Sequence, residues 1–423
     1  MDTVKMKGFK KLTRVDDALN EFLVKGAMRN QLSETVRTFD ALGRILAENV
    51  IAGTDVPAFD RSAVDGYVVK AEETYGASPT NPIIFDVVGT VEIGFPSKIV
   101  LGKQEAMRIA TGAAIPAGAD SVVMVEYSEK IGEKKVEIYS SLPPWENVSR
   151  KGEDVKNGEE LLLRGTLLQP QDIGILTALG ESIVTVTEKV KVAVLSTGNE
   201  LLNLGDKMEN GKIVDSNRPI LMAMVKELGG EPIDFGIAQD NFEEIRLKIA
   251  NSIQESDMVL VSGGTSVGAG DLVPDVINSL GKPGIIVHGV SIRPGRPTGL
   301  ASIGGKPVIL LPGFPVAAIV SFMAFVQPII MKIMGAFPDQ FAKKTVKARM
   351  LRRVPSSIGN RTFARVIVKR VGMSYVAEPL RTSGSGVISS LIRANGLIVI
   401  PEEKEGLEEG EEVEVTILRH LEE

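Results

Sequence analysis

At 423 residues the chain exceeds what one compact core accommodates and points to about three or four domains. A formal charge of -6 argues against a nucleic-acid binder that works through a broadly basic surface. The absence of cysteine rules out disulfides, thiolate metal sites and thiol nucleophiles, and His288 and His420 alone are too few for a His-rich zinc centre.

The first ten residues lack the apolar run of a secretory signal, so a cytoplasmic location is expected. From Thr13 to Asn49 helical spacing predicts helix, first through Val15, Ala18, Leu19, Phe22 and Leu23, then through Ala41, Leu42, Ile45 and Leu46. After Pro57 short β-like runs at 83–88, 107–110 and 121–126 alternate with Gly- and Pro-containing loops. They read as a β-rich insert over 54–147, interrupting a domain made of 1–53 and 148–187. Between 188 and 336 strands (190–195, 232–237, 257–261) alternate with helices (219–228, 242–253, 272–280). That order predicts a doubly wound parallel sheet with ligands at the carboxyl ends of its strands. The stretch Val316 to Met334 contains Gln327, Pro328 and Lys332, so it reads as a buried amphipathic helix rather than a membrane span. The tail, 340–423, alternates without a long helix and reads as a small β-barrel or sandwich. The fold class expected is therefore α/β plus β, in several domains, with neither nucleic acid nor membrane as a partner.

Val259-Leu-Val-Ser-Gly-Gly-Thr-Ser-Val-Gly reads as a buried strand opening into a loop without bulky side chains. Ser262, Gly263, Gly264 and Ser266 there let backbone N–H groups approach an anion, as phosphate-cradling turns do. Arg293 and Arg296 sit on a proline-stiffened Arg-Pro-Gly-Arg-Pro turn, and rigid guanidinium placement suits oxyanion recognition. Pro312-Gly313-Phe314-Pro315 opens the apolar helix; its free amides either add to the anion site or form only a helix entry. Thr197 and Gly198 follow the first strand and could receive a phosphate or ribose, while Glu200 offers a carboxylate; a polar turn accounts for the same residues. Asp240 reads first as the N-cap of the helix from Phe242. Asp271 resembles another cap, but two carboxylates, Glu200 and Asp271, near a phosphate site would hold Mg²⁺ through oxygen ligands. Asp65 lies on a turn where a functional acid and a turn-former look alike. Arg361 and Arg365 share one face of a tail strand, and Ser383-Gly-Ser-Gly386 is a bare loop; taken alone these are surface features. His288 reads as a strand-end side chain. Together the motifs describe a site for a multiply charged anion on a phosphate-bearing ligand.

These motifs, in this order, resemble the MoeA family of molybdopterin molybdenumtransferases, related to the E domain of gephyrin. The resemblance rests on Pro57-Ala-Phe-Asp-Arg-Ser-Ala-Val-Asp-Gly-Tyr, Arg108-Ile-Ala-Thr-Gly-Ala-Ala-Ile-Pro-Ala-Gly-Ala-Asp and Arg150-Lys-Gly-Glu-Asp. It continues through Ser196-Thr-Gly-Asn-Glu, Ser262-Gly-Gly-Thr-Ser-Val-Gly, the RPGRP turn and the PGFP turn. Seven matches in sequence cover nearly the whole chain.

The resemblance implies an elongated four-domain subunit that forms a homodimer, its site lying between the α/β domain of one subunit and the C-terminal β-domain of the other. It implies insertion of molybdate, or tungstate, into adenylylated molybdopterin with Mg²⁺-dependent release of AMP. A molybdopterin adenylyltransferase would be a partner. Asp65, Asp154, Glu200, Asp240 and Asp271 match the family's acidic positions, with Glu200 and Asp271 for Mg²⁺. Arg293 and Arg296 stand where lysines are usual, and Phe314 where asparagine is. Thr197, Gly198, Ser262, Gly263, Gly264, Ser266, Pro312, Gly313, Pro315, Arg365, Ser383 and Ser385 complete the implied substrate site. Two other readings stay open: the adenylyltransferase itself, which leaves the β-rich insert and the tail unexplained, and a gephyrin-like scaffold.

Overall fold

Helical spacing near the N-terminus produces one helix, Val15–Lys25, which buries Val15, Ala18 and Phe22. The computed structural model describes residues 12–26, 28, 32–265, 272–380 and 386–421. The second helix expected there, through Ala41 and Leu46, does not form. Gly43 takes a left-handed φ of +72°, Leu42 is 58% exposed, and Ile45 and Leu46 bridge to Leu167 and Val186. A chain packed between two neighbours satisfies the same apolar spacing without a helix. Ser33–Arg37 pairs antiparallel with Ile183–Thr187, and Ala41, Leu46, Leu168, Leu176, Val184 and Val186 share a small core. Helix Val15–Lys25, in contrast, packs into the core of the α/β sheet.

The insert folds as a six-stranded sheet in the order Ser121–Met124, Gly66–Val69, Glu105–Ile109, Ile83–Val91, Lys135–Ile138 and Ser128–Ile131. In the α/β region the order is Glu231–Ala238, Lys191–Thr197, Met258–Ser262, Lys306–Leu311, Gly299–Ile303 and Pro283–His288. The first four strands are parallel, as expected, while the last two add antiparallel. The reason is local: Gly304 and Gly305, at φ +58° and +79°, make a two-residue hairpin turn that leaves no room for a crossover helix.

Side chains alternate across this sheet. Val192, Val194, Leu260, Ile309 and Leu311 face one core, with Leu221, Val225 and the helical stretch from Pro315 to Met334. Ala193, Leu195, Val259, Val261, Val308 and Leu310 face the other, with Ile245, Ile249, Val276 and Ile277. The apolar stretch to Met334 is long and greasy enough to cross a membrane, yet it packs as a core helix, with Phe322, Phe325, Val326, Ile329 and Ile330 buried.

Register aligns the carboxyl ends of the parallel strands. Thr197 lies opposite Ala238, Ser196 opposite Ser262, and Ser262 opposite Leu311. The loops that follow these strands therefore leave from one edge.

The tail closes into a five-stranded barrel. Arg361–Val371 pairs with Ser374–Pro379, then Thr345–Met350, Glu412–Ile417 and Gly396–Ile400 follow, and the last pairs back with Arg361–Val371. The barrel is fastened to the α/β region by a two-residue parallel pairing of Ile292–Arg293 with Arg361–Thr362, and by the Arg361 N–H donating to the Ser291 carbonyl at 2.8 Å.

Arg361 does not face the expected surface. Its guanidinium donates to both carboxylate oxygens of Asp16 (2.9 and 2.6 Å) and to Glu402 at 3.2 Å. Glu402 is only 3% exposed, so the arginine neutralises a buried carboxylate while joining the first helix to the barrel. Removing one partner of such a pair leaves an uncompensated buried charge. Arg361→Leu should cost on the order of 3 kcal/mol in denaturant unfolding, and Arg361→Leu with Glu402→Gln should recover part of it. A single-variant loss below about 0.5 kcal/mol, the surface-pair range, would show that the cluster does not hold this junction.

Candidate active site

The Ser262-Gly263-Gly264 loop is shaped by close approach to Thr197. Gly263 and Gly264 have φ of +94° and +58°. A Cβ on Gly263 would lie 2.4 Å from the Thr197 carbonyl oxygen, and one on Gly264 would lie 2.8 Å from its hydroxyl. Only glycine fits both demands. The loop is tied below by the Gly263 N–H to Leu311 O (3.1 Å), and His288 Nε2 reaches Thr265 O at 2.9 Å. His288 thus stands at a strand end in a tethering contact. Ser196 and Thr197 are 1% and 2% exposed, and their hydroxyl oxygens have no hydrogen-bond partner among the described residues.

Beside it, the Thr197–Glu200 turn and the loop at Asp240 hold each other. Asn199 N–H donates to Asp240 Oδ2 and Asp240 N–H donates to Asn199 Oδ1, both at 3.0 Å. The expected capping role of Asp240 is not seen. The helix Phe242–Glu255 is capped one residue later by Asn241, which accepts from the Glu244 N–H at 3.1 Å. Asp240 lies outside the cap position and braces the neighbouring strand's loop instead. Glu200 folds back over Gly198, its Oε2 2.5 Å from where a Cβ would stand. Glu200 and Asp240 are thus brought to the same turn; Asp271 and Ser266 lie outside the described residues.

The arginine turn forms a second part of the same edge. Thr298 Oγ donates to Gly295 O (2.6 Å) and shares a hydrogen bond with Ser321 Oγ (2.7 Å), pinning the turn to the helix that starts at Pro315. Arg293 and Arg296 stay exposed. They line a cavity of about 450 Å³ together with Pro312, Phe314, Thr362 and Arg365. Among the described residues three arginines line it, and no carboxylate does. Arg365 is 2% exposed, and burial pushes its guanidinium pKa below the usual arginine value. Phe314 is 60% exposed and stands against Gly386. Ser383 and Ser385, just before it, lie outside the described residues. The cavity joins α/β and barrel residues of one chain, whereas the resemblance places that meeting between subunits.

Asp65 of the insert and Asp154 of the domain it interrupts lie elsewhere. Asp65 accepts from the Thr111 N–H (2.7 Å) and hydroxyl (3.0 Å), bonds that hold its carboxyl below the usual range. Asp154 is exposed, with its backbone N–H on Val56 O. Within one chain neither residue lines the arginine cavity.

One residue escaped the sequence reading. Asn217 begins the helix Asn217–Glu227, and its Nδ2 donates to Ser262 Oγ and to Gly313 O, both at 2.8 Å. The polar triplet Asp215-Ser216-Asn217 before that helix was the available signal. The geometry of the glycine loop makes a direct prediction. Gly263→Ala places a Cβ against immobile backbone at a left-handed φ, and should cost about 2 kcal/mol or more by thermal melting. A variant that melts like the parent would show that the loop is not held against Thr197.

The comparisons follow the same layout. Residues 13–180 match a family model described as MoeA N-terminal region (domain I and II), 193–332 one described as probable molybdopterin binding domain, and 347–418 one described as MoeA C-terminal region (domain IV). A putative molybdopterin biosynthesis protein of Methanocaldococcus jannaschii is 38% identical over 413 residues, 96% of each chain. A molybdopterin molybdenumtransferase of Bacillus subtilis is 34% identical over 391 residues, 92% of this chain and 90% of the relative. The crystal structure of the molybdopterin biosynthesis MoeA protein from Pyrococcus horikosii superposes with a TM-score of 0.83 at 38% identity, over 97% of this chain and 100% of that one. The family models span nearly the whole chain and the similarity runs over its full length, so the chain belongs to the MoeA family.

Proposed function

We propose that this chain is a molybdenumtransferase of molybdenum cofactor biosynthesis that inserts molybdate, or tungstate, into adenylylated molybdopterin and releases AMP. The relatives' names support the transferase activity. The observation that carries the oxyanion assignment is the cavity lined by Arg293, Arg296 and Arg365, with no carboxylate in its lining among the described residues. A tetrahedral dianion there meets directed, charge-assisted donors on a restrained turn. It also lowers the cost of holding Arg365 charged at depth.

The glycine loop and Thr197 are assigned to the phosphate-bearing pterin. Their buried hydroxyls and bare backbone present donors without side-chain bulk. AMP release is a hydrolysis: water adds at the AMP phosphorus, and the bond to the pterin's phosphate breaks. Mg²⁺ is the cation this chemistry calls for, and hard oxygen donors fit it. Glu200, whose carboxylate accepts no hydrogen bond among the described residues, would hold it with Asp271, and Asp240 braces the turn that carries Glu200. When bound, the ion neutralises charge on phosphate oxygens. Homodimerisation, and supply of the adenylylated substrate by a molybdopterin adenylyltransferase, belong to the same reading.

The test is an oxyanion titration of AMP release with purified protein, adenylylated molybdopterin and Mg²⁺. Arg293→Lys with Arg296→Lys should raise the molybdate needed for half-maximal turnover about tenfold, through loss of charged hydrogen bonds. The double alanine variant should release almost no AMP while melting like the parent. An unchanged oxyanion requirement in that folded variant would remove the assignment.

A further inference from the structure

Two loops that the proposed function gives to different parts of the substrate touch each other. A Cβ on Gly313 would lie 3.7 Å from Gly263 Cα. Gly263 belongs to the glycine loop; Pro312 and Phe314, on either side of Gly313, line the arginine cavity. Beneath the contact lies Asn217, 7% exposed. Its Nδ2 donates to Ser262 Oγ at 2.8 Å and to Gly313 O at 2.8 Å, with Pro312 O at 3.5 Å. Among the described residues no other side chain bonds both loops. Carbonyl oxygens only accept, so the amide must present its NH₂ to them, and the network fixes its orientation.

Asn217 is itself held rigidly. Asp215, 5% exposed, accepts from the Asn217 N–H at 3.1 Å and the Arg218 N–H at 3.2 Å. Arg218 returns a bond to Asp215 Oδ2 at 3.2 Å and extends to Asp234 (2.6 Å) and Asn203 (2.9 Å). The amide that joins the two loops is therefore anchored to the start of a helix. A buried hydrogen-bond network with one arrangement transmits displacement rather than absorbing it.

We propose that Asn217 is a positioning residue that sets the spacing between the glycine loop and the Pro312–Phe314 turn, and so couples binding of the pterin to binding of the oxyanion. The proposal rests on the assignment of those two sites under Proposed function. Occupancy of the glycine loop fixes Ser262, Ser262 and Gly313 share one amide, and the wall of the arginine cavity is thereby placed.

The measurement is the ratio of molybdate dissociation constants with and without saturating molybdopterin, by calorimetry on the full chain. The wild type should bind molybdate more tightly with the pterin present. Asn217→Ala and the isosteric Asn217→Asp, whose carboxylate repels the Gly313 carbonyl, should cut that coupling about fivefold or more. Binding of each ligand alone should change by less than about threefold, well below the coupling loss. Ser262→Ala, which removes one of the two acceptors, should give an intermediate loss and serves if Asn217→Ala does not fold. A purely structural Asn217 would lower the melting temperature and leave the ratio unchanged, and that result, or a wild type without coupling, overturns the proposal. The Arg293→Ala/Arg296→Ala variant separates the two readings. If it loses molybdate binding while the Asn217 variants keep the coupling, only the positioning role fails. If it keeps molybdate binding, the cavity assignment fails and the positioning role with it.

Discussion

The pairing of Ile292–Arg293 with Arg361–Thr362 is the contact on which the site depends. Two residues of the α/β region run parallel to the start of the longest barrel strand, and the arginine turn is thereby laid beside Arg365. The pairing is short, so side chains must keep it. Arg361, the first barrel residue of the pairing, clamps Asp16 and buried Glu402, and the Thr298–Ser321 bond holds the other side of the turn. The barrel is thus a wall of the cavity as well as a neighbouring domain.

That arrangement shows how a chain with a formal charge of -6 can build the proposed anion site. Net charge governs long-range fields, whereas affinity for an oxyanion depends on donors gathered within a few ångströms. Two guanidiniums from one turn and a third from a barrel strand far along the chain meet in one cavity, and the acids of the same edge, Glu200 and Asp240, lie on a different turn. Among the described residues positive and acidic groups are segregated on one sheet edge, as the proposed substrate, with an oxyanion and a phosphate link, would require.

What could be read from the chain divides by range of interaction. The Val259–Gly264 strand and loop were legible because burial on both faces and the glycines are local properties, later explained by φ values and by Thr197. The Gly304-Gly305 hairpin was equally local, but the alternation of strands and helices before it drew the reading toward an all-parallel sheet. Ala41 to Leu46 misled because identical apolar spacing serves a helix and a segment bridged on both sides. Asp240 and Asn241 are adjacent capping types, and only the actual start of the helix decides between them. Asn217 left only the weak signal of the Asp215-Ser216-Asn217 run, because its acceptors come 45 and 96 residues later. Arg361 and Arg365 look equivalent on a strand; closure of the barrel turns one to an ion-pair cluster and the other to a cavity.

The central claim is that one chain supplies all three arginines to a single oxyanion site. Anomalous diffraction from crystals soaked in tungstate tests it most directly. The account predicts a tungsten peak within the cavity, contacted by Arg293, Arg296 and Arg365 of the same chain. A peak elsewhere, or one held by the arginine turn of one subunit and the Arg365 of another, would contradict it.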